Sequence, residues 1–243
     1  MHTAVFTTMI ALVPLHLLFV SFTLASTVPP VNTVAPNDTC NEYELVGRKD
    51  WGAKPPKDVV SMVLPVKYVF IHHTAMSSCT TRDACIKAVK DVQDLHMDGR
   101  GWSDAGYNFL VGEDGRAYQV RGWNRTGAHT KSYNDVAVAV SVMGDYTSRL
   151  PNQKALDTVQ NLLACGVQKG FITPNYELFG HRDVRKTECP GEKFYQYIRT
   201  WKHYSTNYPT LHIKRGSATT AFASAKLLTV TLLANGLIIL VNL

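Results

Sequence analysis

The chain has 243 residues, 45% hydrophobic and 18% charged, with a formal net charge of +6. That balance is ordinary for a globular protein and suits one folded domain, with a core that does not depend on disulfides alone. The mild positive charge suits an anionic partner, but no long basic run or aromatic-basic repeat occurs, which argues against nucleic acid.

In chain order, Val5 to Ala25 is almost wholly apolar or small and ends in Thr23-Leu24-Ala25, so residues 1–26 read as a secretion signal. Its start is weak, with His2 but no Lys or Arg, and an uncleaved anchor is the alternative. Residues 27–39 contain Pro29, Pro30 and Pro36 and read as a flexible linker to a domain spanning 40–208. Val66 to His72 predicts a buried strand. Thr81 to Leu95 predicts a helix with Ile86, Val89, Val92 and Leu95 on one face. Tyr107 to Val111 and Arg116 to Val120, around Glu113-Asp114-Gly115, predict a hairpin. Val136 to Val142 predicts a central strand. Asn152 to Val167 predicts a helix through Leu156, Val159, Leu163 and Val167. Tyr176 to Gly180 predicts a brief strand, and Gly191 to Trp201 a last helix. Strands and helices interleave, so the fold class is α/β: a single domain with a central mixed β-sheet and about three helices.

After the domain, residues 209–226 form a spacer with the small residues Gly216-Ser217-Ala218, and 227–243 are an apolar tail. This is the pattern of a glycolipid-anchor signal. A transmembrane helix is the alternative, disfavoured because the tail is short and contains Asn235 and Asn242. Losing both ends removes one base, Lys226, and no acid, taking the charge from +6 to +5. Asn37-Asp38-Thr39 and Asn124-Arg125-Thr126 are glycosylation sequons, which fit an extracellular, cell-surface address.

Five cysteines in a secreted chain leave one without a partner. Cys79 and Cys85 are six apart around a turn and suit a small-loop disulfide. Cys40 and Cys165 then remain to tie the N-terminal segment to the core, although connectivity is not legible in sequence and a different pairing stays open. Cys189 lies eight residues after His181, and Ile71-His72-His73-Thr74 lies far upstream. Two imidazoles and a thiolate would hold zinc with one position open, the arrangement of catalytic rather than structural sites. His72 and His73 point to opposite faces of a strand, so one can be a ligand and the other packed or hydrogen-bonded. Thr187 and Cys189, two apart before Pro190, lean the same way in extended chain. Zinc-finger spacing of paired cysteines is missing.

Several segments together resemble peptidoglycan recognition proteins, relatives of the bacteriophage-type N-acetylmuramoyl-L-alanine amidases. They are Val46-Gly-Arg-Lys-Asp-Trp51-Gly-Ala, Val69-Phe-Ile-His72-His-Thr-Ala, Gly101-Trp-Ser-Asp-Ala-Gly-Tyr107-Asn-Phe-Leu-Val-Gly, Arg121-Gly-Trp-Asn-Arg-Thr-Gly-Ala-His129-Thr, Tyr133-Asn-Asp, and Gly180-His181-Arg-Asp-Val through Thr187-Glu-Cys189-Pro-Gly. The resemblance implies zinc ligands at His72, His181 and Cys189 and catalytic roles for Tyr107 and Thr187. Many non-catalytic members replace the cysteine, and this sequence does not. It further implies substrate contacts at Arg121, Gly122, Trp123 and His129. Arg121-Gly122-Trp123 resembles the pattern that prefers diaminopimelate-type over lysine-type peptidoglycan, since a guanidinium grips the extra carboxylate. A solvated Arg121 and a packed Trp123 are the alternative. Two functions follow as expectations: a zinc amidase acting on peptidoglycan or muropeptides in innate immunity, or a non-catalytic surface receptor for the same ligands.

Overall fold

The elements occur in the order β1 (Glu44–Val46), β2 (Val66–His73), α1 (Arg82–Asp94), β3 (Phe109–Val111), β4 (Arg116–Gln119), β5 (Ala137–Val142), α2 (Gln153–Gln168), β6 (Ile172–Gly180) and α3 (Glu192–Ile198). They belong to a computed structural model that describes residues 38–208. The secretion signal 1–26, the linker as far as 37 with the sequon at Asn37, the spacer 209–226 and the apolar tail lie outside the described residues. The strands form one mixed sheet in the order β1-β4-β3-β5-β2-β6. Only the β3–β4 hairpin is antiparallel.

The central strands are Val-rich because helices or loops cover both their faces; all six residues of β5 are buried. On one face Val69, Ile71, Val138 and Val140 pack against Leu156, Val159, Phe194 and Ile198 of α2 and α3. On the other, Leu110 and Tyr118 pack with Trp51, Val89 and Val92 beneath α1, and Phe70, Ala139 and Phe179 form a smaller cluster bordered by Tyr107 and Tyr133. Each fully buried Val, Ile or Phe contributes roughly 1.5–3 kcal/mol before entropy is charged against it.

Both long helices begin where a side chain replaces a missing backbone acceptor. Thr81 Oγ1 accepts from the Ala84 N–H at 3.3 Å, and Asn152 Oδ1 from the Ala155 N–H at 3.0 Å. The predicted α1 face shifts, however. Cys85, Val89 and Val92 are buried and Leu95 is 43% exposed. The helix runs on into a wider turn of π type, Leu95–Gly99, and its extra residue per turn swings His96 and Met97 inward instead.

β6 starts four residues before the predicted Tyr176, with Val66 opposite Ile172 and a register shift between Val66 and Tyr68. Pro174 offers no N–H, which an edge strand tolerates. β1 escapes sequence reading because it has three residues, two of them exposed. α3 stops at Ile198, short of Trp201. It begins after Gly191, whose φ of +92° suits glycine and where a Cβ would collide with the Tyr146 backbone. The disulfides join Cys40 to Cys165 and Cys79 to Cys85, leaving Cys189 as the free thiol among the described residues.

Candidate functional site

β2 and β6 are parallel neighbours, with Ile71 opposite Gly180. Their C-terminal ends therefore deliver His72 and His181 side by side, ring centroids 4.4 Å apart. This is where open α/β sheets build sites. His181 opens a short 3-10 turn, His181–Asp183. Asp183 locks the turn: Oδ2 accepts from the Gly180 N–H at 2.7 Å, and Oδ1 from the Tyr195 and Tyr204 hydroxyls at 2.6 and 3.1 Å. The Arg182 N–H donates to the Cys189 carbonyl at 3.0 Å, folding the following loop back on the histidines. The Cys189 sulfur then sits 3.5 Å from His72 Nδ1 and accepts the His73 backbone N–H at 3.4 Å.

The donor atoms of His72, His181 and Cys189 all lie within 4.8 Å of one another. A tetrahedral zinc bound by one nitrogen and one thiolate would hold them roughly 3.5 Å apart, so the His72–Cys189 spacing fits. Protonation fits in part. Burial pushes His72 well below the ordinary imidazole range, with the neighbouring histidines adding to it. Burial, with help from Arg185, brings His181 down to about 4. Both are neutral at physiological pH, as metal ligands must be. Burial pushes the Cys189 thiol up to about 12, so only a cation in the cluster would make it the thiolate a metal site needs.

A cavity of about 420 Å³ opens over the cluster, lined by His72, His73, His181, Cys189, Tyr107, Thr187, His129, His96, Arg100 and Trp102 among others. The Tyr107 ring lies 5.3 Å from His72, and burial raises its hydroxyl far above neutrality, keeping it a hydrogen-bond donor. Thr187 Oγ1 accepts from the Cys189 N–H at 3.3 Å, so the loop hydrogen bond and the place at the cavity coexist. His73 takes the packed role in part: Nδ1 accepts from the Tyr146 N–H at 3.3 Å. As the last residue of β2 it also reaches the cavity wall. A larger cleft of about 540 Å³, between α2 and the segment after α3, contains none of these residues.

The structure does not bring Arg121-Gly122-Trp123 to this cavity. Trp123 stacks on Phe171 at 5.3 Å and packs on Phe109, half-buried against the core beneath α2. Arg121 donates to the carbonyls of Ala105, Thr126 and Asp104, which consume its fork. Gly122 sits at φ +67° with its carbonyl accepting from Asn108 Nδ2. The tripeptide occurs twice, and the copy at the cavity is Arg100-Gly101-Trp102, with the Arg100 guanidinium 5.1 Å over the Trp102 ring and the His96 ring tilted against it, centroids 4.6 Å apart. That repetition was the available signal; His96 gave none. His129 does line the cavity, 5.6 Å from His72. Asn124 is exposed.

Residues 62–192 match the N-acetylmuramoyl-L-alanine amidase family. Peptidoglycan recognition protein 1 of Bos taurus is 47% identical over 161 residues, which span 66% of this chain and 85% of the bovine one. Among solved structures, wild-type Drosophila peptidoglycan recognition protein LB is 45% identical with a TM-score of 0.67, covering 68% of this chain and 97% of its own. Peptidoglycan recognition protein LE, solved in complex with tracheal cytotoxin, a monomeric diaminopimelic acid-type peptidoglycan, is 42% identical with a TM-score of 0.66, covering 67% and 96%. The chain belongs to the peptidoglycan recognition proteins, within that amidase family.

Proposed function

We propose that this protein is a zinc-dependent amidase that binds bacterial peptidoglycan outside the cell, in innate immunity, and cuts the amide between N-acetylmuramic acid and L-alanine. The observation that carries the reading is the convergence of His72, His181 and Cys189 donor atoms within 4.8 Å in the wall of a cavity. Those three residues would hold the ion. When bound, zinc supplies a Lewis acid that polarises a carbonyl and lowers the pKa of water. Tyr107, held as a phenol by burial, donates a hydrogen bond to the oxygen on which negative charge develops. Thr187, whose hydroxyl already accepts from the Cys189 N–H, orients the attacked group with its own proton. The stem peptide runs along the wall formed by His96, Arg100 and Trp102. The exposed Arg100 guanidinium suits the extra carboxylate of diaminopimelate, and the tracheal cytotoxin complex of a relative supports that preference. A secretion signal, glycans at Asn37 and Asn124, and a glycolipid anchor attached near Ser217 complete the reading.

The test uses Cys189→Ser. The wild type releases stem peptides from diaminopimelate-type peptidoglycan, whereas the variant still sediments with it but releases none. Wild-type protein that binds without cleaving is a receptor, and the amidase reading fails.

A further inference from the structure

We infer that Thr130 is a positioning residue for the metal site: its hydroxyl oxygen accepts a hydrogen bond from the Nε2–H of His72 and its proton is donated in a hydrogen bond to His129 Nδ1, fixing the His72 tautomer whose Nδ1 lone pair faces the cluster. The inference rests on the zinc reading above.

His72 is 1% exposed, so both ring nitrogens must find partners inside the protein. Nδ1 lies 3.5 Å from the Cys189 sulfur, and Nε2 lies 3.2 Å from Thr130 Oγ1. An imidazole that binds metal through Nδ1 keeps its proton on Nε2 and needs an acceptor there; Thr130 Oγ1 is that acceptor. Thr130 is itself fully buried, and a hydroxyl has a single proton to place. Its other neighbour is His129 Nδ1, at 3.0 Å. Thr130 donates there, so His129 carries its own proton on Nε2. The Ala137 carbonyl favours a proton on the His129 ring, although no hydrogen bond of full geometry meets Nε2. In the reverse direction Thr130 would donate to His72 Nε2, and the His72 proton would sit on Nδ1, pointing at Cys189 in place of the lone pair. The turn that carries Thr130 is pinned, because Asn134 Oδ1 accepts the backbone N–H groups of both His129 and Thr130 at 2.8 Å. No group in the relay changes charge; the arrangement selects between tautomers only.

Thr130→Val keeps the shape and removes the acceptor. Its zinc affinity, measured by competition with a chelating indicator, falls roughly 10–100-fold, and Thr130→Ser restores it. Nitrogen-resolved imidazole spectra of the metal-free wild type show the proton on Nε2 of both His72 and His129. These spectra keep the inference testable even where the valine variant folds poorly. A folded Val variant with wild-type affinity, or a metal-free His72 protonated on Nδ1, overturns the relay. Wild-type protein that binds no zinc overturns the metal reading instead, and the tautomer spectra, which need no metal, still decide the relay.

Discussion

Two tryptophans of this chain follow the same two residues and have opposite fates. Trp102 forms part of the cavity wall, whereas Trp123 is half-buried, stacked on Phe171 and packed against the core. Trp102→Ala therefore weakens muropeptide binding and leaves the unfolding midpoint near wild type. Trp123→Ala does the reverse, costing about 3 kcal/mol through the void it leaves. Denaturant melts and titrations with diaminopimelate-type and lysine-type muropeptides read the crossover, with the wild type preferring the former. Equal stem preference, or a Trp123 variant that loses ligand but no stability, contradicts the assignment. His72, His181 and Cys189 stood out in the sequence because few side chains can hold a metal, whereas Tyr107 and Thr187 stood out only through the family resemblance; all five line one cavity. Arg-Gly-Trp at 100–102 and at 121–123 are identical strings, and only the path of the chain, cavity loop in one case and strand end in the other, separates them. Thr130 was invisible because a buried hydroxyl acquires its role from the two rings it touches.

At the level of elements, the hairpin turn and the start of α2 are joined by one carboxylate. Glu113, 4% exposed, pairs with Arg149 at 2.8 Å and accepts the Asn152 N–H at 2.8 Å, while Asn152 Nδ2 donates to the Glu113 carbonyl. Arg149 holds the Glu113 carboxyl below its ordinary value of 4.5, against the opposing effect of burial. Because the folded state lowers this pKa, its contribution is present at pH above the ordinary value and is lost as the pH falls through the lower, folded one. Glu113→Gln is expected to cost roughly 1–2 kcal/mol at neutral pH, the low end because Arg149 is half exposed, and the difference shrinks below about pH 4.5. Urea melts at pH 7 and pH 3 check it; a cost independent of pH removes the ion pair from the account. The regular elements themselves were legible where periodicity and caps agreed, as at Thr81 and Asn152. They were not where an extra residue per turn after Leu95 or a proline in β6 broke the period.

For the molecule as a whole, the fold places the site at the C-terminal ends of β2 and β6, and with Cys40–Cys165 and Cys79–Cys85 bridged, the His72–His181–Cys189 cluster keeps the one free thiol among the described residues. Outside those residues the sequence still makes a claim about address: small residues at Gly216-Ser217-Ala218, then an apolar run from Leu227. Expressed in full on animal cells, the protein is expected to leave the membrane on treatment with a phosphatidylinositol-specific phospholipase. Retention on the membrane, with a known anchored protein released alongside, assigns the tail to a spanning helix instead.

If the proposed function holds, this groove hydrolyses one bond and needs zinc to do so. Purified protein is stripped by a chelator, divided, and given zinc or none before digestion of diaminopimelate-type peptidoglycan, with mass spectrometry of the soluble products. Stem peptides with a free L-alanine amine are expected in the zinc-restored sample and none in the stripped one. Equal release from both samples, or no release from a zinc-loaded protein that binds the polymer, contradicts the proposed function.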